Sequence, residues 1–392
     1  MYLDRELYSA VLRWSKNQAN QTALYLRGPR LAGKSYLVDK LGREEYQHHY
    51  VIDLKDNSTL QYVEGLFDKY CTRHSLNESD GTNYRNIFSE LDPLYKDDPT
   101  TLMIIEEIQE SPKIYNCIRF MNRGLASHLA VTCSYLGVIF NNKIFNTPVG
   151  DASPRELFTL SYREYLNALG LYDEYSKINS FDFFDFKEGK EGKEGKEGRD
   201  YLVYKQVEEA YKVYLRIGGY PGVLLNHLQN RDNISKTLEA LNNAVNLTYK
   251  EIFGCLKEDK TLLTQFSEAT CQKALGYIFE YLCNGSQNAL TIKDFEKSIE
   301  GEGEIFTNDV MDILDWLYSS RLILLLPVTD KLKLNAFSYT NFRIFAHDLG
   351  FLNAINAFRP ISPSSFNGRL AENFVYLVVC VVIIYPLLAD FK

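Results

Sequence analysis

Seven cysteines are scattered along the 392-residue chain, with no C-x-x-C pair and no Cys/His cluster at zinc-ligand spacing. They read as reduced thiols of a cytoplasmic protein, which argues against a disulfide framework or a metal clip. Basic charge is also short. Lys and Arg number 43 against 51 Asp and Glu, for a net charge of −8. A protein whose main task is to coat nucleic acid needs clustered positive charge, so that class is disfavoured. No apolar segment opens the chain: Met1 to Arg5 lead into an amphipathic stretch, so no signal peptide is expected. The one long apolar run, Phe374 to Ala389, would measure about 24 Å as a helix against a hydrocarbon core of roughly 30 Å. Pro386 shortens it further, and no membrane anchor is expected. What remains is ordinary for a soluble globular protein of two or three domains, with 45% hydrophobic and 24% charged residues.

The informative stretch is Gly28-Pro29-Arg30-Leu31-Ala32-Gly33-Lys34-Ser35, which completes the pattern G-x-x-x-x-G-K-[ST]. Glycines let backbone N–H groups curl around an anion, the lysine reaches β- and γ-phosphates, and the serine hydroxyl ligates Mg²⁺. Thr22 to Arg27 reads as a buried strand, and Tyr36 to Leu41 as a helix opening on the loop, the order that aims a helix N-terminus at phosphate. Residues 28–36, Tyr36 included, are therefore the expected ATP-binding segment. The continuous apolar run Thr101 to Ile105 reads as a parallel strand delivering Glu106 and Glu107 to the same crevice. Glu106 is placed as a metal ligand beside Ser35. Glu107 is placed as the residue that orients or deprotonates the attacking water. The plain alternative is that both glutamates favour the N-terminus of a helix starting near Ser111-Pro112. A third strand, His128 to Thr132, ends at Ser134, which with Lys34 and Glu107 completes the catalytic set, Thr132 being second choice for the polar contact.

Residues 1–20 read as a helix, and Gly81 to Thr100 as a polar, turn-rich segment over the site. A helix with Tyr162, Tyr165 and Tyr172 falls within 154–180. Lys187-Glu-Gly, repeated four times through Gly198, cannot bury a core and reads as a solvated charged tether. Helices follow, interrupted at Gly218-Gly219-Tyr220-Pro221-Gly222. Residues 272–340 read as a winged helix-turn-helix, with helices at Gln272–Cys283, Ile292–Ser298 and Asn308–Ser319 and strands at Arg321–Val328 and Lys331–Phe337. The third helix carries Asp309, Asp312 and Asp315 and no basic residue. Sequence-specific DNA binding is not expected of it, because acidic side chains oppose phosphate contact.

The loop, Glu106-Glu-Ile-Gln-Glu110, Ser134-Tyr-Leu-Gly137, Leu157 to Leu166, Tyr214 to Gly222, His347-Asp-Leu-Gly350 and Gly368 to Val375, in this order, resemble the prokaryotic AAA-type P-loop ATPases that carry a C-terminal restriction-endonuclease-like domain of unknown function. The chain departs from that family's usual Asp at Glu106 and Gly at Cys133. The resemblance implies an α/β P-loop NTPase core with a parallel, AAA-like sheet, followed by a mostly helical region with a winged-helix-like domain. Its domains would be 1–180 (ATPase), 181–200 (Lys-Glu-Gly linker), 201–271 (helical), 272–345 (winged-helix-like) and 346–392. The last would be the start of a nuclease-like domain, cut short before its catalytic residues. The implied function is a Mg²⁺-dependent ATPase that switches domain arrangement or contact with a protein partner or a second copy. The alternative is a nucleotide-dependent protein-binding or DNA-associated regulatory module with little or no hydrolysis. Arg123, Arg155 and Arg163 are equal candidates for an arginine finger.

Overall fold

The computed structural model describes residues 3–17, 22–71, 81–140, 144–146, 148, 150–177, 196–258, 268–284, 290–291, 307–327, 341–358 and 363–379. Helix α1 (Tyr8–Lys16) precedes strand β1 (Ala23–Arg27), which leads through the glycine loop into α2 (Lys34–Glu45). Next come β2 (His48–Asp53), α3 (Asn57–Tyr70), α4 (Thr82–Leu91) and β3 (Thr101–Glu106). Helix α5 (Pro112–Gly124), β4 (His128–Cys133), the short α6 (Gly137–Phe140) and β5 (Ala152–Glu156) complete the first unit. All five strands are parallel, in the order β2-β3-β4-β1-β5.

The strands are apolar on both faces because helices cover both. Leu24, Leu26, Ile104 and Ala130 pack on Leu37, Val38 and Leu41 of α2 and Val11 of α1. Their neighbours Tyr25, Ile105 and Val131 point the other way, onto Phe67, Phe88 and Ile118 of α3, α4 and α5. This period-two alternation splits each strand between two core layers. Chain order reverses between β1 and β4, and in such sheets ligands bind beyond the C-terminal strand ends at that reversal.

One local reading changes. Gly81 to Thr100 is not a cover for the loop: α4 occupies half of it and buries Tyr84, Ile87 and Phe88. Asp97 accepts from Arg85 at 3.2 Å and from the backbone N–H groups of Ala126 and Ser127 at 2.8 Å each. These contacts hold the segment at the strands' N-terminal ends, opposite the glycine loop. Strand β5 carries Pro154 in its interior. An edge strand tolerates proline because one side of its backbone needs no ladder partner, and Pro154 sits opposite Tyr25 of β1.

Helices α7 (Tyr162–Leu169) and α8 (Tyr172–Lys177) lead to α9 (Lys196–Ile217), α10 (Pro221–Gln229), α11 (Ile234–Glu258) and α12 (Glu268–Asn284). Because α9 begins at Lys196, the last Lys-Glu-Gly repeat is helical rather than part of the tether; lysine and glutamate are good helix formers, and glycine costs only about 1 kcal/mol. Residues 187–195 lie outside the described residues. A three-stranded antiparallel sheet follows, ordered β6 (Leu290–Thr291), β8 (Asn341–Ala346), β7 (Ile323–Pro327), with α13 (Thr307–Ser319) between β6 and β7. The expected helix Ile292–Ser298 and strand Lys331–Phe337 lie outside the described residues. Helices α14 (Leu349–Phe358) and α15 (Pro363–Leu377) follow. Leu349, Phe351 and Phe366 share one apolar core with Leu275, Ile278, Trp316 and Ile344.

Three of the sequence motifs meet at the joint between the two units. Leu160 N–H donates to Gly219 O at 2.7 Å, and Gly219 N–H donates to Asp348 Oδ2 at 2.8 Å. Tyr220 hydroxyl and His347 Nε2 lie 2.9 Å apart. A Cβ at Gly219 would stand 2.1 Å from Leu160 O, so the backbones approach too closely for any other residue.

Candidate phosphate-binding site

Gly33, in the left-handed region at φ +92°, ends the loop and N-caps α2, which turns the first helical N–H groups toward the loop's concavity. A Cβ at Gly28 would stand 1.9 Å from Leu157 O, which explains glycine at the loop's start. Arg5 braces the loop from outside. Its guanidinium donates to Ala32 O at 2.6 Å and Phe158 O at 2.6 Å and pairs with buried Glu164 at 3.0 Å.

Lys34, the first residue of α2, is only 5% exposed. Its ammonium donates to Gly28 O at 3.0 Å, Pro29 O at 2.9 Å and Ser134 Oγ at 2.8 Å. Burial lowers its pKa, and the nearby Glu107 carboxylate opposes that shift. Ser35 Oγ donates to Glu106 Oε2 at 2.6 Å. Burial raises the pKa of Glu106, and the bond from Ser35 pulls it back. A hydroxyl and a carboxylate oxygen side by side are hard donors of the kind Mg²⁺ prefers, so these two residues fit such an ion.

Glu107 lies at the C-terminal end of β3 in the left-handed region, φ +51°, where a non-glycine residue is held against its preference. Its backbone N–H donates to Thr132 Oγ1 at 3.2 Å. Its carboxylate accepts from Ser134 Oγ at 3.1 Å and from Gln109 Nε2 at 2.7 Å. Gln109 Oε1 in turn accepts from Ser134 N–H at 3.2 Å. The side-chain cap of α5 is Ser111, whose hydroxyl accepts from Ile114 N–H at 3.2 Å.

Lys34, Ser35, Glu106, Glu107 and Ser134 thus come together, with Thr132 on the backbone side. Pro29 contributes its carbonyl, Arg30 turns to an ion pair with Glu251 at 2.8 Å, and Tyr36 points outward, 55% exposed. Leu31 adopts φ +62° and is partly exposed. Cys133 is fully buried beneath the site, and burial pushes its thiol up to about 12, so it stays un-ionised. Of the arginine candidates, Arg123 pairs with Asp151 at 2.6 Å, Arg163 with Glu6 at 3.0 Å, and Arg155 donates to Pro154 O at 2.9 Å. Sequence reasoning missed Gln109, Arg5 and Glu251. The first was visible in the Glu106 to Glu110 motif by its offset from Glu107; the other two carry no local signal.

Comparison with known proteins gives a family match for residues 20–166, to the AAA_14 model, described as an AAA domain. The curated proteins give no match. Among solved structures, the Walker-type ATPase PABY2304 of Pyrococcus abyssi is 13% identical, with a TM-score of 0.51 over 91% of this chain and 96% of that one. At this identity the likeness concerns the fold alone. AMPPCP-bound DnaA from Aquifex aeolicus is 11% identical, covering 82% of this chain and 90% of its own, with a TM-score of 0.27. Cdc6p from Pyrobaculum aerophilum is 11% identical, covering 95% and 97%, with a TM-score of 0.29. The glycine loop, the strand-end carboxylates and the parallel sheet all fall within residues 20–166, the segment that is similar to the AAA domain model.

Proposed function

We propose that the protein binds ATP with Mg²⁺ and hydrolyses it, using the cycle to change how the AAA domain meets the helical region or a protein partner. The observation that carries this reading is the path from Lys34 through Ser134 to Glu107, beside the Ser35–Glu106 pair. It joins the phosphate-loop lysine and serine to strand-end carboxylates far along the chain. In this reading the loop N–H groups and Lys34 hold the phosphates, and Ser35 and Glu106 would hold Mg²⁺, which would supply positive charge against the phosphates. Glu107 takes the proton of the attacking water. Gln109 and Ser134 fix the direction of that carboxylate. The test is steady-state phosphate release by the full chain, with ATP affinity measured in parallel; turnover that survives Glu107→Gln removes the assigned base.

A second reading, a nucleotide-dependent binding module with little hydrolysis, draws on one observation. Both oxygens of Glu107 already accept hydrogen bonds, which leaves fewer lone pairs for an attacking water. Binding without phosphate release would favour it.

The sheet order β6-β8-β7 with α13 ahead of β7 supports a winged-helix-like reading of 272–345. Its third helix is occupied by packing. Ile313, Leu314, Trp316 and Leu317 are buried, and Trp316 stacks on Tyr135 of the AAA domain at 5.8 Å between ring centres. A helix so used is a domain contact rather than a reader of base edges.

A further inference from the structure

Glu251 belongs to α11, 196 positions along the chain from Lys55, yet its carboxylate reaches both Lys55 and an arginine of the phosphate loop. Oε2 accepts from Arg30 Nε at 2.8 Å and from the Tyr135 hydroxyl at 3.0 Å; Oε1 accepts from Lys55 Nζ at 2.9 Å. Arg30 lies in the loop itself, Lys55 just past β2 and Tyr135 just past β4, so one carboxylate ties together three segments at the C-terminal edge of the sheet.

The charges around it favour exchange. Arg30 lies close enough to Lys34 to lower that lysine's pKa, so the two cations repel unless an anion faces them. Glu251 supplies such an anion to Arg30, and burial works against its charge. A terminal phosphate held by Lys34 would carry more charge and more acceptor oxygens than one carboxylate. Arginine and lysine form stronger charge-assisted bonds to such a group. The same carboxylate accepts from Tyr135, whose ring stacks on Trp316. Its release therefore loosens a contact between the AAA domain and the helical region.

We propose that Glu251 occupies the place of a terminal phosphate: Arg30 and Lys55 exchange it for the γ-phosphate of a nucleoside triphosphate, so the site distinguishes triphosphate from diphosphate and reports the difference to α11. This rests on the nucleotide-binding reading above. Arg30 and Lys55 act as specificity-determining residues and Glu251 as their competitor.

The experiment uses the full chain with Mg²⁺ and two probes, AMPPCP and ADP, by calorimetry. Glu251→Gln is expected to tighten AMPPCP by about tenfold, the equivalent of part of one charged hydrogen bond, and to change ADP by less than about twofold. Lys55→Met is expected to weaken AMPPCP and leave ADP unchanged. In the wild-type protein, amide hydrogen exchange in α11 should rise with AMPPCP and not with ADP, a readout that needs no variant. Equal effects of Glu251→Gln on the two nucleotides, or α11 exchange indifferent to which is bound, would overturn the proposal while leaving nucleotide binding intact. A wild-type protein that binds neither probe removes the nucleotide reading and this inference with it.

Discussion

Lys34→Met separates what this residue does for binding from what it does for folding. Methionine keeps nearly the same length and volume, so the site is filled rather than emptied. Lost with the charge are three hydrogen bonds, to Gly28 O, Pro29 O and Ser134 Oγ, each worth about 0.5–1.5 kcal/mol net. Gained is relief from holding an ammonium in a site where burial already lowers its pKa. The two effects oppose each other, and the thermal midpoint should fall by no more than about 4 °C. The pH trend follows from the direction of the shift. A lysine whose folded pKa lies below its ordinary value of 10.5 penalises folding fully below the folded pKa. The penalty disappears as pH rises toward 10.5, so the variant's stability relative to the wild type should decline over that window. Binding behaves differently. An ammonium facing two phosphates makes charge-assisted contacts of about 1.5–3 kcal/mol each, so ATP affinity should fall at least 100-fold. Calorimetry and thermal melts on the same preparations measure both quantities. A folded Lys34→Met protein with ATP affinity within threefold of the wild type would refute the placement of phosphate beside Lys34.

Glu107→Gln retains size and hydrogen-bonding capacity but cannot take a proton, so ATP should bind as before while turnover drops at least tenfold. If Glu106→Gln abolishes turnover and Glu107→Gln does not, the two roles are exchanged. At the joint between the units, Gly219→Ala would press a methyl group to 2.1 Å from Leu160 O, whereas Gly222 has nothing within 4 Å of the same position among the described residues. Chemical denaturation should show a loss of more than about 2 kcal/mol for the first and less than about 0.5 kcal/mol for the second; similar losses would contradict the close approach. Trp316→Ala should cost about 3–5 kcal/mol because the indole is fully buried against Tyr135. Trp316→Phe should cost much less, since among the described residues the buried indole N–H has no hydrogen-bond partner to lose, and equal losses in denaturant titrations would show that ring packing is not the source.

Contiguous signals carried most of the parallel-sheet unit. The apolar runs before Gly28, Glu106 and Ser134 read as buried strands because a strand covered on both faces has no polar side, and each run stops at the residue it delivers to the site. Lys34, Ser35, Glu106, Glu107 and Ser134 were therefore legible from local pattern. The edge strand β5 was not, since its residues are only half buried and Pro154 looks like punctuation until one side of the strand is seen to need no ladder. Helix α4 was hidden in a similar way, its three buried residues, Tyr84, Ile87 and Phe88, being embedded in a polar, turn-rich stretch. Gly218 and Gly219 announced a turn, but only folding brought Leu160 and Asp348 against them and made close backbone approach their purpose. Arg5 and Glu251 lie furthest from local legibility. Each is one charged residue on an otherwise ordinary segment, and each acquires a role through chain topology, which carries Arg5 to Ala32 and Glu251 to Arg30 and Lys55. Local periodicity and loop chemistry act over a few residues and can be read in order along the chain. The meeting of a distant carboxylate with the phosphate loop depends on where α11 sets Glu251 relative to Arg30, Lys55 and Tyr135, a choice made only when the two units come together.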